Sequence, residues 1–181
     1  MAAVSPSSVI DAAIARLRSL TQISVQSTWH YWDGDLPISQ AAAPETWQNW
    51  AIAELNGKQH LAWPKGRQVR WLGQVLTVPA ELNGYPLQGL CLRLALTWWA
   101  ESAQIFVNGQ LVQEGDLFNC STRICLGTEV QVGEAFAIAL RLVSPGHDDG
   151  ALVRSLALYE IPSTPSPAVA PEAGFVADEL A

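Results

Sequence analysis

From Leu90 to Trp98 every even-numbered position carries a large apolar side chain: Leu90, Leu92, Leu94, Leu96 and Trp98. The odd positions, Cys91, Arg93, Ala95, Thr97 and Trp99, are mixed in size and polarity. Successive side chains of an extended strand point to opposite faces, so a repeat of two puts one row in a core and the other outside it. A helix would scatter the same residues around its circumference. The segment therefore predicts a strand with one buried face, and its leucine row needs a second apolar layer to cover it.

The same period recurs. Phe136, Ile138, Leu140 and Leu142 alternate with smaller residues and Arg141. Val69, Trp71, Val75 and Thr77 repeat the pattern, with Gly73 as a bulge position. Asn108-Gly109, set between Ala103–Val107 and Gln110–Val112, predicts a two-residue hairpin because both central residues tolerate positive φ. Asn56-Gly57 and Asn83-Gly84 mark further turns. About eight strands are expected between Trp47 and Glu160, with no helices alternating among them. The expected fold is all-β: a jelly-roll-like antiparallel β-sandwich, with the leucines of 90–96 facing the row at 136–142.

One helix precedes it. Ile10, Ala13, Ile14, Leu17 and Leu20 recur at helical spacing, with Ser8 and Asp11 at the start and Arg16 and Arg18 near the end. The expectation is a helix over 8–20. Residues 162–172 hold four prolines and read as an extended linker. Residues 174–181 read as the opening of a helix. The chain thus divides into a helix with an aromatic connecting segment (1–46), a sandwich (47–161), and a linker leading to the start of a domain not contained in it (162–181). Trp29-His30-Tyr31-Trp32 in the connecting segment is expected to staple the helix to the sheet or to a neighbouring domain.

Charge narrows the function. Ten Lys and Arg face seventeen Asp and Glu, a net charge of −7, which argues against a nucleic-acid face built to neutralise phosphates. No apolar run approaches the roughly 18 residues of a membrane span, and Arg93 interrupts the strongest candidate. The N-terminus lacks the pattern of a signal peptide, so a cytoplasmic location is expected. Cys91, Cys120 and Cys125 do not form a disulfide framework. Cys120 and Cys125 share a short segment where a disulfide is possible, and free thiols in a reducing compartment are the expected state.

No catalytic constellation is evident. His30, His60 and His147 are scattered without metal-ligand spacing, and no phosphate-binding loop, nucleophile elbow or His-Glu-x-x-His pattern occurs. The strongest strands carry few acids, and Glu101, Glu114 and Asp116 fall at strand ends or in loops. No metal ligands are assigned. The eight tryptophans are more suggestive, since a flat aromatic face beside hydrogen-bonding groups suits a sugar ring. Adjacent Trp98 and Trp99 must face opposite sides of a strand, one in the core and one outside. Candidate carbohydrate contacts are Trp98, Trp99, Asp116, Asn119, His147 and Asp148. The competing reading assigns most tryptophans to packing, and the 114–119 and 144–150 stretches to plain connections.

In order along the chain, Val78-Pro79, Gly84, the leucine strand, Glu101, Ile105-Phe106-Val107-Asn108-Gly109 and Gly115-Asp116 resemble the galactose-binding-like sandwich domains of glycoside hydrolases. The set is most similar to the N-terminal domain of family 38 glycoside hydrolases, the class II α-mannosidases, in their cytosolic and bacterial branch. The stretch Leu140–Leu152 looks like the cyanobacterial versions. The resemblance spans roughly residues 8–160. It implies a parent enzyme that hydrolyses α-mannosides with retention, using a carboxylate nucleophile and a zinc ion held by His and Asp residues of a following catalytic domain. None of those motifs matches here, so no catalytic residue, metal ligand or cofactor is carried over to this chain. The resemblance implies a non-catalytic accessory domain, inactive alone, that packs on its own catalytic domain and supports it. The alternative is a carbohydrate-binding module that contacts mannose-containing glycans.

Overall fold

The computed structural model describes residues 6–162, 173–179 and 181. Helix α1 spans Pro6–Thr21, slightly beyond the expected bounds. Proline is well suited to a first helical turn, where its missing N–H has no partner to lose. Thirteen described strands follow: β1 (Gln22–Ser24), β2 (His30–Asp33), β3 (Ala51–Ile52), β4 (Leu61–Trp63), β5 (Val69–Thr77), β6 (Glu81–Leu82), β7 (Tyr85–Pro86), β8 (Cys91–Trp99), β9 (Ser102–Val107), β10 (Gln110–Gly115), β11 (Ser121–Gly127), β12 (Ala135–Val143) and β13 (Gly150–Glu160). Short helices α2 (Ile38–Ala41) and α3 (Ala173–Glu179) complete the described elements, with single-turn helices at Gln26–Thr28 and Pro44–Asn49. The Pro-rich linker lies almost wholly outside the described residues.

The strands form an antiparallel β-sandwich. In the first sheet the order is β1-β13-β8-β11, with β4 also paired to β13; in the second it is β10-β9-β12-β5-β2-β3. Between the sheets lies one core. Leu92, Leu94, Leu96 and Trp98 of β8, with Leu152 and Tyr159 of β13, face Leu72 of β5, Ile105 of β9 and Phe136, Ile138, Leu140 and Leu142 of β12. The rows of β8 and β12 thus bury the side they were expected to bury. Asn108 and Gly109 take φ of 49° and 79° between β9 and β10, and Asn83 and Gly84 take 50° and 84° between β6 and β7. These left-handed pairs match the twist of a tight hairpin.

Three expectations fail, each for a physical reason. Gly73 is not a bulge: β5 pairs without a break to β12, Gly73 opposite Ala139, and to β2, Gly73 opposite His30. The glycine is there because Trp47 lies against it. A Cβ at Gly73 would come within 2.6 Å of the indole ring. The row Val69, Trp71, Val75 and Thr77 also faces outward; the inward side of β5 is Leu72 and Leu76.

The aromatic segment does not staple the helix to the sheet. Residues 22–24 and 30–33 are themselves strands, one in each sheet. Between them, Trp29 is fully buried and its Nε1 donates to Ser155 Oγ at 3.0 Å. Ser155 Oγ donates to Gln26 Oε1 at 2.7 Å, and Gln26 Nε2 donates to the Leu152 carbonyl at 2.7 Å. This buried polar chain is satisfied end to end, and it pins the crossing between the sheets to β13.

Candidate carbohydrate-contact face

The two outer faces of the sandwich differ. Over the second sheet lies a strap of residues 34–50. Trp47, Trp50, Ala41 and Ala42 from the strap pack on Trp71, Phe106 and Ala139 as a separate buried cluster. Trp47 Nε1 donates to the Ala41 carbonyl at 2.8 Å, which closes the strap on itself. At its start, Asp35 receives two hydrogen bonds from Arg141, at 2.9 and 2.6 Å. Hydrogen bonding from that guanidinium holds the Asp35 carboxyl below the usual carboxylate range.

On the outer face of the first sheet, Arg18 of α1 and Asp178 of α3 lie over the Ala95–Thr97 and Leu156–Leu158 side, and among the described residues no such strap covers the opposite end. Trp99 stands there, 38% exposed, one residue after Trp98, which is 2% exposed in the core. The alternation settles which of the pair is available: Trp98 is a packing residue and cannot present its ring to a ligand. Its Nε1 donates to the Asp116 carbonyl at 3.3 Å. Trp99 borders an open cleft of ≈ 680 Å³ with Asp148, Asp149, Asn56, Lys58, His60 and Val153.

Three segments distant in sequence build this cleft. Asn56 shapes the 56–60 loop: its Oδ1 accepts from the backbone N–H groups of Lys58 and His60, at 2.9 and 3.1 Å. Gln59 adopts a positive φ of 63° within that turn. Asp149 Oδ1 accepts from the Lys65 N–H at 3.0 Å, and Asp148 Oδ1 accepts from the Asp149 N–H at 3.0 Å, so both carboxylates order their loops. Gly150 has to be glycine, because a Cβ there would meet the Trp63 ring at 2.5 Å. Trp63 in turn is buried and supports β4 beneath the cleft.

Of the residues singled out from the sequence, the cleft brings together Trp99 and Asp148. His147 is exposed on the neighbouring loop and is not among the cleft-lining residues. Asp116 and Asn119 belong to a different turn. Asp116 Oδ1 accepts from the Phe118 and Asn119 N–H groups at 2.8 and 2.9 Å, and these backbone donors, Asn119 first, hold its carboxyl below the ordinary range. That carboxylate is a turn cap, and the turn carries Phe118 at its tip, 96% exposed. Asn56, Lys58 and His60 were missed. Their only sequence signal was the Asn56-Gly57 turn, which says nothing about its neighbour in space.

Chemically the cleft offers one aromatic face with amide, ammonium, imidazole and carboxylate groups around it. Among the described residues no three His, Cys, Asp or Glu side chains come together to hold a metal ion. The zinc implied by the resemblance therefore has no fitting ligand set among them.

No protein-family model and no curated protein matches the sequence. Solved structures do match in fold. A glycosyl hydrolase family 2 member from Bacteroides cellulosilyticus superposes with a TM-score of 0.61 at 15% identity, covering 78% of this chain and 21% of that one. A Bacteroides uniformis β-glucuronidase gives 0.57 at 17% identity, over 78% of this chain and 18% of the other. A Faecalibacterium prausnitzii β-glucuronidase gives 0.54 at 15% identity, over 80% and 32%. The chain spans between about a fifth and a third of the length of these proteins. The likeness is one of fold: the same sandwich architecture recurs inside larger glycoside hydrolase chains. The first of these structures belongs to family 2, not to the family 38 expected from the sequence.

Proposed function

We propose that this chain is the non-catalytic sandwich domain of a glycoside hydrolase, packing on and supporting a catalytic domain in the same protein. The observation that carries this reading is the superposition on part of the B. cellulosilyticus glycosyl hydrolase chain at a TM-score of 0.61. The sequence resemblance points to the same setting by a separate route. The finer assignment, an α-mannosidase of family 38 acting on mannose-containing glycans in the cytoplasm, rests on that resemblance alone. Fold does not by itself specify chemistry. The test is to read the coding frame past the codon for Ala181. Continuation into a glycosidase catalytic region is the expected result, and a His and Asp zinc set within it supports the family 38 assignment. A stop codon directly after Ala181 overturns the same-chain reading.

A second reading is favoured by the cleft itself: Trp99 and Asp148, picked independently as sugar contacts, line one open hollow with Lys58 and His60. In this reading the chain docks on a glycan, with Trp99 stacked on the ring. Titration with mannose and mannobiose should then give a saturable change in tryptophan fluorescence that is absent in Trp99→Ala. No change up to millimolar sugar removes this reading and leaves the first intact.

A further inference from the structure

The sequence places Cys120 and Cys125 close together, but the fold separates them. They lie five residues apart at and along the extended strand β11, about 16 Å at the usual rise per residue. The odd offset also turns their side chains to opposite faces. Cys125 instead meets Cys91 of the neighbouring strand β8, with Sγ atoms 3.8 Å apart. Both point out of the first sheet, on the side away from the core. A register shift between Cys125 and Gly127 marks a bulge beside the pair, and bulges add local twist that re-aims side chains.

We infer that Cys91 and Cys125 are a redox couple, a dithiol that closes to a cystine on exposure to a low-molecular-weight disulfide. The two thiols differ in access. Cys125 is exposed, whereas Cys91 is 4% exposed. Burial pushes the Cys91 thiol up from its ordinary range, which suits the resolving partner rather than the first nucleophile. Cys125, as thiolate, attacks one sulfur of the small disulfide. The S–S bond breaks, a mixed disulfide forms on Cys125, and the first small thiol leaves with a proton from solvent. Cys91 then loses its proton to solvent and attacks Cys125 Sγ, forming the Cys91–Cys125 bond and releasing the second small thiol. Two protein thiols are oxidised and one small disulfide is reduced to two thiols.

The position gives the bond a structural consequence. Among the described strands β11 is an edge strand, paired only with β8. Beside the pair, Glu160 of β13 accepts from Arg93 at 2.9 Å and also pairs with Arg123 of β11. A cystine there would add a covalent tie to the ion pairs that already link β8, β11 and β13, at the end of the sheet where the chain leaves the sandwich.

The test uses the intact chain, equilibrated with oxidised glutathione, blocked with iodoacetamide and digested with trypsin. Cleavage after Arg70, Arg93, Arg123 and Arg141 puts each cysteine on its own peptide. The expected product links 71–93 to 124–141 and is two hydrogens lighter than the separate peptides, while Cys120 stays alkylated on 94–123. The oxidised protein should melt roughly 5–10 °C higher, and dithiothreitol should reverse the gain. Linkage through Cys120, separate glutathione adducts on Cys91 and Cys125, or full alkylation of all three thiols would overturn the couple. An unchanged melting temperature despite the link would overturn the tie.

Discussion

Part of the second sheet's outer face, around Trp71 and Phe106, lies under a strap, whereas the Trp99 end of the first sheet's outer face lies open beside a cleft. Over the second sheet, Trp47, Trp50 and Trp71 are all at most 7% exposed, and the strap that covers them is anchored by the Arg141–Asp35 pair. Over the first, Trp99 remains 38% exposed beside a cleft. The difference teaches that tryptophan count alone does not mark a binding surface. Six of the eight tryptophans are buried, and of the two exposed ones, Trp32 and Trp99, it is Trp99 that lines the cleft.

The contrast can be broken by substitution, and the largest effect belongs to the strapped face. Trp47→Ala removes the ring that fills the strap and should destabilise the fold by about 3–5 kcal/mol in denaturant melts. A change under 1 kcal/mol would mean the strap is not part of the folded unit. Gly73→Ala tests the same contact from beneath. Its Cβ has no room under Trp47, so a cost of about 1–3 kcal/mol is expected, against the gain an alanine normally brings to a strand. On the open face, Trp99→Ala should cost clearly less than Trp47→Ala, because 38% of Trp99 is already exposed against 4% of Trp47. A cost as large as that of Trp47→Ala would erase the distinction between the faces.

The smallest effect is electrostatic. Asp35 has its pKa lowered in the folded state, chiefly by the hydrogen bonds from Arg141. A carboxyl depressed on folding contributes stability above its unfolded pKa of about 3.9 and loses it as pH falls through the folded value. The Asp35 side of the pair is more than half exposed, so its worth is within about 1 kcal/mol. Asp35→Asn should therefore melt slightly below the parent at pH 6, and the gap should close toward pH 2–3. A gap that widens on acidification would contradict the assigned role.

How much of this was legible beforehand follows from the range of each interaction. Period-two rows and Asn-Gly pairs are local signals, and they placed β8, β12 and the β9–β10 hairpin correctly. Gly73 misled because its reason, the Trp47 ring, lies 26 residues away in the chain. The strands at 22–24 and 30–33 were hidden by their length, too short to show a period. The cleft was half legible: Trp99 and Asp148 carried recognisable chemistry, but only the pairing of β13 with both β4 and β8 brings the 56–60 loop to them. The cysteines show the same limit, since nearness along one strand proved to be separation in space.

The claim on which the account rests is that this sandwich supports glycoside hydrolysis without performing it. Purified residues 1–181 and the product of the full reading frame should be assayed side by side on 4-nitrophenyl glycosides, with the α-mannoside and β-glucuronide included. The account predicts nitrophenol release by the longer protein and none by residues 1–181. Release by residues 1–181 alone, proportional to their concentration and abolished by heat, would contradict it.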